Sequence, residues 1–355
     1  MNIFNNKFYY ILLYPFSLIF KSIVRIRNQF YDKNIFRSFK VNGCKIISIG
    51  NISVGGTGKT PVIRFLADYL KERGFNVAIL SRGYNRKSKG TIIVSDGKKL
   101  LANADQAGDE PFLLARQLNS VPIVAEADRY KGAKLIQDKF QPEVILLDDA
   151  FQHRRLRRDF DIVLVDASVG FGRGLLLPAG FLREPISSLE RADLIWVTRI
   201  DQATDSRILI QKVSCHSAAP IITSKHRTVK IVQMDSGEQF DLYHLNRKRV
   251  LLFSGIGNPD SFEKSVTKLG AKIVYHFTFS DHYHYKSEDI EKIFSKAEQI
   301  NVDIILTTEK DYVRIIELKA DLSKIYYLAI EIHIVENENL LKTALSSLFS
   351  FGFEQ

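Results

Sequence analysis

Apolar positions in the first two-thirds of the chain gather into short runs separated by stretches with helical spacing. The runs at residues 45–50 (KIISIG), 77–80, 91–94, 121–125, 144–147, 162–165 and 194–197 are near-continuous rather than alternating, as in strands covered on both faces. Between the first two, Val62, Phe65, Leu66, Tyr69 and Leu70 recur on one helical face, with Pro61 at the entry and Gly74 at the exit. This alternation predicts a doubly wound parallel sheet with helices on both faces. After Ile222 the pattern turns polar and strand-like, best seen at 228–234 and 239–242, and reads as a short β linker. Alternation resumes at Arg249 with the run VLLFSGIGNP, a helix over about 261–269, the strand KIVYHF and a helix over about 287–299. The strands DIILTT and IYYLAI and a C-terminal helix follow. The expected organisation is an N-terminal helix over 1–30, an α/β domain over 31–225, a β linker over 226–248 and a smaller α/β domain over 249–355.

The N-terminal stretch departs from this alternation. Residues 9–20 (YYILLYPFSLIF) form an apolar, aromatic run flanked by Lys7 and by Lys21, Arg25 and Arg27. Crossing a bilayer as a helix takes about 20 apolar residues, and Pro15 interrupts this shorter run. The following KSIVRIRNQF offers no small-residue cleavage site, which speaks against a signal peptide. The expectation is an interfacial helix, aromatics at headgroup level and basic residues against anionic lipid. The alternative is a helix buried in a soluble core. A net charge of +10 and a pI near 9.3 suit such an anionic partner. Nucleic acid is disfavoured, because the basic residues are dispersed and no aromatic-interleaved basic sheet motif occurs. The densest basic run, residues 153–158 (HRRLRR), reads either as a solvated turn or as an electropositive rim that receives substrate phosphate. Only two cysteines occur, Cys44 and Cys215, so no disulfide framework is expected and a reducing compartment fits.

Between the first run and the first helix stands NISVGGTGKTP, residues 51–61. Small residues there let backbone N–H groups approach phosphate oxygens, Lys59 neutralises them, and Thr60 supplies a hydroxyl for Mg²⁺. The general pattern is met except that Ser53 replaces its first glycine; Val54, Gly55, Gly56, Thr57 and Gly58 complete the loop. The expected fold class is therefore a P-loop NTPase-type α/β domain joined to a second, smaller α/β domain. Residues 144–153 (VILLDDAFQH) place Asp148 and Asp149 at the end of a buried strand, where a parallel sheet delivers a Mg²⁺-organising carboxylate. Adjacent side chains on a strand point to opposite faces, so both can serve only if the strand ends or turns there. Asp109 opens the segment GDEPFLL at a helix start, where acidic residues are common, yet a carboxylate near a γ-phosphate also suits a proton acceptor. The distant FTFSDHYHY, residues 277–285, offers a partner histidine more readily than a zinc site, since no cysteine or carboxylate cluster lies nearby.

These segments together resemble the tetraacyldisaccharide 4'-kinases of lipid A synthesis, a membrane-associated branch of P-loop kinases. The resemblance runs in order through ISIGNISVGGTGKTP, LSRGY, GDEP, ADR, LLDDAFQH, LLPAGFLREP, GIGNP, FSDHYHY and TEKD, nearly the whole chain. Ser53 is also the residue of that family's loop. The resemblance implies ATP and Mg²⁺ as cofactors and a tetraacylated glucosamine disaccharide 1-phosphate as acceptor. It further implies a peripheral location on the cytoplasmic face of the inner membrane, with no protein partner. It assigns Asp109 as base with His282 as its partner, Thr60, Asp148, Asp149 and Glu184 to the metal, and Arg129 and Arg183 to transferring or substrate phosphate. Tyr84, Gln152 and His153 would line the acceptor site. A P-loop nucleotide switch or metallochaperone-like GTPase would share the loop and the Asp-terminated strand. Its guanine-reading segment is echoed only loosely by TTEKD at 307–311.

Overall fold

The computed structural model describes residues 7–318 and 320–349, with side-chain surroundings from residue 11 onward. Residues 1–6 of the expected N-terminal helix, and the side chains of Lys7, Tyr9 and Tyr10, lie outside the described residues. The chain runs α1 (Lys7–Asp32), β1 (Lys45–Asn51), α2 (Lys59–Lys71), β2 (Val77–Ser81), β3 (Ile92–Asp96), α3 (Ala104–Ala107), α4 (Asp109–Gln117) and β4 (Pro122–Ala125). There follow α5 (Arg129–Phe140), β5 (Val144–Asp148), β6 (Phe160–Asp166), β7 (Leu194–Thr198), α6 (Ser206–Ser214), β8 (Ile221–Gln233) and β9 (Gln239–Phe240). The last part holds β10 (Arg249–Ser254), α7 (Pro259–Lys268), β11 (Lys272–Thr278), α8 (Ser287–Gln299), β12 (Ile304–Thr308), α9 (Glu309–Ile315), β13 (Ile325–Glu336) and α10 (Glu338–Ser346).

All these strands join one sheet, ordered β11-β10-β12-β13-β8-β7-β6-β1-β5-β2-β4-β3, with β9 paired to β8. β1 sits between β5 and β6, parallel to both, with Ile49 opposite Asp148. The two carboxylates therefore arise beside the strand that feeds the phosphate loop. The sheet is mixed rather than wholly parallel: β3 is antiparallel to β4 at one edge, and β13 is antiparallel to β8 in the middle. The polar stretch expected as a linker belongs largely to β8, which crosses position 225 unbroken, parallel to β7 at its start and antiparallel to β13 along its length. Burial is complete at Ile222, Thr223 and Ser224, partial over 225–230 and complete again at Ile231 and Val232, so the change in composition marks a half-covered middle of the strand, not its end. Trp196 of β7 donates to Ser224 Oγ at 2.8 Å across that junction.

Strands twist by roughly 20–25° per step, and six steps from β1 to β10 accumulate about 130°. Added to the reversal at β8/β13, this turns the carboxyl ends of β10 and β12 toward those of β1 and β5. The result is visible at Gly257, after β10, where an added Cβ would lie 3.4 Å from Gly56 N. One core serves both halves. Leu66 and Leu70 of α2 share a cluster with Trp196, Leu251 and Ile305, and Phe65 meets Trp196 edge to face at 5.6 Å.

α1 continues through Pro15 for 26 residues, longer than the apolar run alone suggests. Ser17 and Val24 are buried against the protein, and Ser17 Oγ donates to Leu176 O at 2.7 Å. Leu12, Phe16, Ile19, Ile23 and Ile26 share another face by 3.5-residue spacing and are each more than half exposed. Among the described residues, no helix is long and apolar enough to cross a membrane.

Candidate active site

The loop after β1 turns on Gly55 (φ 107°) and Gly58 (φ 83°), left-handed conformations that favour glycine. No atom lies within 4 Å of a Cβ built on Gly55 or Gly56, so the loop is open to an incoming oxyanion. Ser53 and Val54 are anchored on the other side: Ser53 bridges Leu182, and Val54 N donates to Phe181 O at 2.7 Å. Lys59 and Thr60 begin α2, whose amino end points into the loop.

β5 ends at Asp148, and Asp149 takes a left-handed turn (φ 49°), so the two carboxylates leave the strand in different directions. Asp149 faces Lys59 Nζ at 3.4 Å and accepts from Arg183 Nη1 at 2.9 Å. Burial opposes its ionisation, but Lys59 and Arg183 outweigh that and bring its pKa down to about 2. Asp148 accepts from Ser81 Oγ at 2.8 Å, while its Oδ1 is buried without a partner. Burial, together with the Glu110 and Asp149 charges, pushes Asp148 up to about 7. Arg129 lies beneath, fully buried, donating to Glu126 O at 2.8 Å and Asp148 O at 3.1 Å. Burial and the Arg129 charge bring His153 down to about 4, so it is neutral at pH 7. Gln152 Nε2 donates to Asn51 O at 2.8 Å, tying the turn after β5 to the end of β1.

Two cavities of about 510 and 500 Å³ meet here. The first holds the phosphate loop, Arg64, Arg199, His226, Asn258 and His282. The second holds Ser81, Arg82, Arg129, Asp148, Gln152 and His153. Tyr84, Glu110, Asp149 and Arg183 line both and form the wall between them. Close to this wall, His282 Nδ1 lies 3.1 Å from Asp109 Oδ2. Asp109 also accepts from Arg314 Nε at 2.7 Å. Burial opposes ionisation of Asp109, yet the His282 hydrogen bond and Arg314 hold its pKa below the ordinary value. With Nδ1 turned to Asp109, Nε2 of His282 is 4.0 Å from Asp281 Oδ1, and Tyr84 packs edge-on against the imidazole at 5.7 Å.

The structure thus brings together the loop, Lys59, Asp148, Asp149, Arg129, Arg183, Tyr84, Gln152, His153, Asp109 and His282. It does not bring Glu184 into this group. Arg183 and Glu184 are neighbours at a bend of the backbone, and their side chains reach different partners. Glu184 is fully buried and accepts from Arg27 Nη2 at 3.1 Å, Asn28 Nδ2 at 2.9 Å and Arg191 Nη2 at 2.7 Å. Asp311 of the TEKD segment is likewise turned inward, accepting from Gly255 N at 3.0 Å, Tyr285 OH at 3.0 Å and Arg314 Nη1 at 3.1 Å, so it is occupied structurally and not free to read a base.

Several participants escape sequence reasoning. Arg314 bridges Asp109, Asp311 and Gly255 O. Lys310 reaches Glu110 at 2.8 Å, and its charge holds Glu110 at about 2. Arg199 joins Asp166 to Gly56 O of the loop. Apart from Arg314–Asp311 these pairs lie far apart in sequence, and only the adjacency of Glu110 to Asp109, the place of Lys310 within TEKD and that of Arg314 just after it could have flagged them. Among the described residues, no group of three or more His, Cys, Asp or Glu could hold a metal by itself. A divalent cation here would share its shell with phosphate oxygens, and the unpartnered Asp148 Oδ1 fits such a shell.

Comparison with known proteins agrees with this geometry. The family model described as tetraacyldisaccharide-1-P 4'-kinase matches residues 9–350. The tetraacyldisaccharide 4'-kinase of Syntrophus aciditrophicus is 36% identical over 340 residues, covering 91% of this chain and 89% of that protein. That of Desulfotalea psychrophila is 38% identical over 307 residues, covering 85% and 87%. The crystal structure of LpxK from Aquifex aeolicus in complex with ATP superposes with a TM-score of 0.76 at 36% identity, covering 94% of this chain and 98% of that one. With the match running from the exposed helix to the last strands, and with the phosphate loop, paired aspartates and Asp109–His282 pair all inside it, the chain belongs to the tetraacyldisaccharide-1-P 4'-kinase family.

Proposed function

We propose that this chain is a kinase that transfers the γ-phosphate of ATP to the 4'-hydroxyl of a tetraacylated glucosamine disaccharide 1-phosphate, the lipid A precursor. The observation that carries the reading is the meeting of two cavities at a wall made of Asp149, Arg183, Glu110 and Tyr84, with Lys59 on one side and Arg129 on the other. The nucleotide occupies the first cavity, its phosphates on the loop amides and Lys59. The sugar occupies the second, among Gln152, His153 and Arg82. During transfer the γ-phosphorus bond to the β-bridging oxygen breaks, a bond to the 4'-oxygen forms, and the hydroxyl proton passes to the Asp109–His282 pair. Arg183 and Lys59 sit where negative charge spreads over the moving phosphoryl group. Thr60, Asp148 and Asp149 are the residues that would hold Mg²⁺, which when bound neutralises the phosphate oxygens. Most of the rate comes from positioning and charge rather than from the base alone.

The exposed apolar face of α1, with Lys21 and Arg25 at its border, seats the enzyme on an anionic lipid surface, the cytoplasmic face of the inner membrane. The lipid acceptor then reaches the second cavity without leaving the bilayer entirely.

The test is transfer of radiolabelled phosphate from ATP to tetraacyldisaccharide 1-phosphate in detergent micelles. The intact chain should form product; Asp109→Ala should lower kcat by roughly 10²-fold or more, and Lys59→Ala at least as much. No transfer by folded, ATP-binding protein would overturn the assignment.

A further inference from the structure

Glu184 is a buried carboxylate that the transfer chemistry above leaves unused, and the way it is held joins two parts of the molecule. Two of its three donors, Arg27 and Asn28, lie near the carboxyl end of α1, Asn28 by helical spacing on the side of buried Ser17 and Val24 and Arg27 between that side and the exposed apolar stripe; the third, Arg191, packs its guanidinium 4.3 Å from the Phe151 ring centroid. A carboxylate removed from water and bound by two arginines and an amide has few alternative positions, so the backbone that carries it is fixed as well. That backbone is the edge of the phosphate loop. Arg183 N donates to Ile52 O at 2.7 Å, Val54 N to Phe181 O at 2.7 Å, and the next side chain along, Arg183, holds Asp149 opposite Lys59. α1 also grips the other wall: Arg154, next to His153, donates to Asn28 O at 3.1 Å and Asp32 Oδ1 at 2.7 Å.

We infer that Arg27 and Asn28 are positioning residues for phosphoryl transfer: through Glu184 they set the segment that aims Arg183 at Asp149, so that the helix which seats on lipid also aligns the charges at the wall. The inference rests on the membrane-surface reading of α1. A merely structural link would stabilise the fold without coupling lipid to the site. The coupling requires that lipid contact on the apolar face of α1 tighten residues 181–184 through its polar face.

The experiment uses the full chain and vesicles of phosphatidylethanolamine and phosphatidylglycerol, reading amide hydrogen exchange at residues 181–184 alongside vesicle sedimentation. In the unmodified protein, exchange in this segment should slow on vesicle binding. In the Arg27→Ala/Asn28→Ala variant, sedimentation should persist, because the apolar face, Lys21 and Arg25 are intact and only one of the flanking cations is removed, while the slowing is lost. In micelles, kcat should fall roughly tenfold to a hundredfold with KM for ATP changed less than about twofold, and Arg27→Lys should recover part of kcat. Failure of the unmodified chain to sediment would refute the membrane reading. Sedimentation without any change at 181–184, or a variant with unchanged kcat, would overturn the coupling itself. Should the double variant be unfolded by circular dichroism, Arg27→Gln and Asn28→Asp carry the same comparison, and slowing equal to that of the unmodified chain in both would count against the proposal.

Discussion

At the scale of single residues, cationic neighbours keep the carboxylates Asp109, Glu110 and Asp149 ionised, while burial pushes Asp148 the other way. Asp109 stands between His282 and Arg314, and both hold it ionised against the pull of burial. Arg314→Gln removes one of these two supports while keeping a donor of similar reach. The pKa of Asp109 then rises, and the acid limb of kcat/KM moves to higher pH. A pH profile of the variant checks this; an unmoved limb would mean that Arg314 only shapes the loop at Gly255. The carboxylates and the histidine of this group were legible in the sequence because each ends or begins an element: Asp148 and Asp149 close an apolar run, Asp109 opens a helix, and His282 sits in an aromatic loop. Arg314 was not legible, since a basic residue in a short helix looks like any solvated side chain until Asp109, far away in sequence, is folded against it. Glu184 misled for a related reason. A carboxylate one position from Arg183 reads as part of the same cluster, but the backbone bends here, and Glu184 is held by Arg27 and Arg191, away from the Arg183–Asp149 pair.

Between elements, α4 and α9 carry the join between the two halves of the chain. Lys310 of α9 binds Glu110 of α4 at 2.8 Å, and Arg116 of α4 donates to Tyr312 OH of α9 at 2.8 Å. Glu110 is held at about 2, below its ordinary 4.5, first by the Lys310 charge. The unfolded chain therefore binds more protons than the folded one across that interval. Stability from Glu110 is fully present above about pH 4.5 and is lost as pH falls toward 2. Asp148, raised by burial to about 7, works in the opposite sense above its ordinary 3.8. Lys310→Met should flatten the acid loss of stability between pH 4.5 and 2, as read from urea midpoints across that range. An unaltered acid slope would show that Glu110 takes its support elsewhere. Strands and long helices were largely legible: the runs at 45–50, 144–147 and 194–197 fall inside β1, β5 and β7, and the helix over 287–299 is α8. The antiparallel pairings were not, because the register of β3 on β4 and of β8 on β13 depends on partners that no local pattern names. α9 escaped because seven residues are too few to display a period.

For the whole molecule, the decisive fact is that Asp109 and His282 come from opposite edges of one sheet, Asp109 from the segment between β3 and β4 and His282 from the loop after β11, and meet near the phosphate loop that follows β1. β8 belongs to both halves, pairing with β7 on one side and β13 on the other, and α2 buries residues into a core shared with β10 and β12. A chain cut after residue 248 would strip β8 of β13, leaving it only the two-residue β9 on its antiparallel side, and expose the face of α2 that β13 covers, as well as removing His282 and Arg314. Independent folding of the two α/β units, as their sequence patterns suggest, would require each to close its own core, and the shared cluster of Leu66, Trp196, Leu251 and Ile305 gives neither that option. Unfolding should therefore proceed as one cooperative transition, with calorimetric and van't Hoff enthalpies in agreement and the same midpoint reported by Trp196 fluorescence and by far-ultraviolet dichroism. Two resolved transitions would show that the halves separate at β8, and would make closure of the cleft between loop and Asp109–His282 pair a motion of whole units. A single transition places any such motion instead in the loops above the sheet, at Gly257, His282 and Tyr84, with the sheet as the fixed frame on which the two cavities meet.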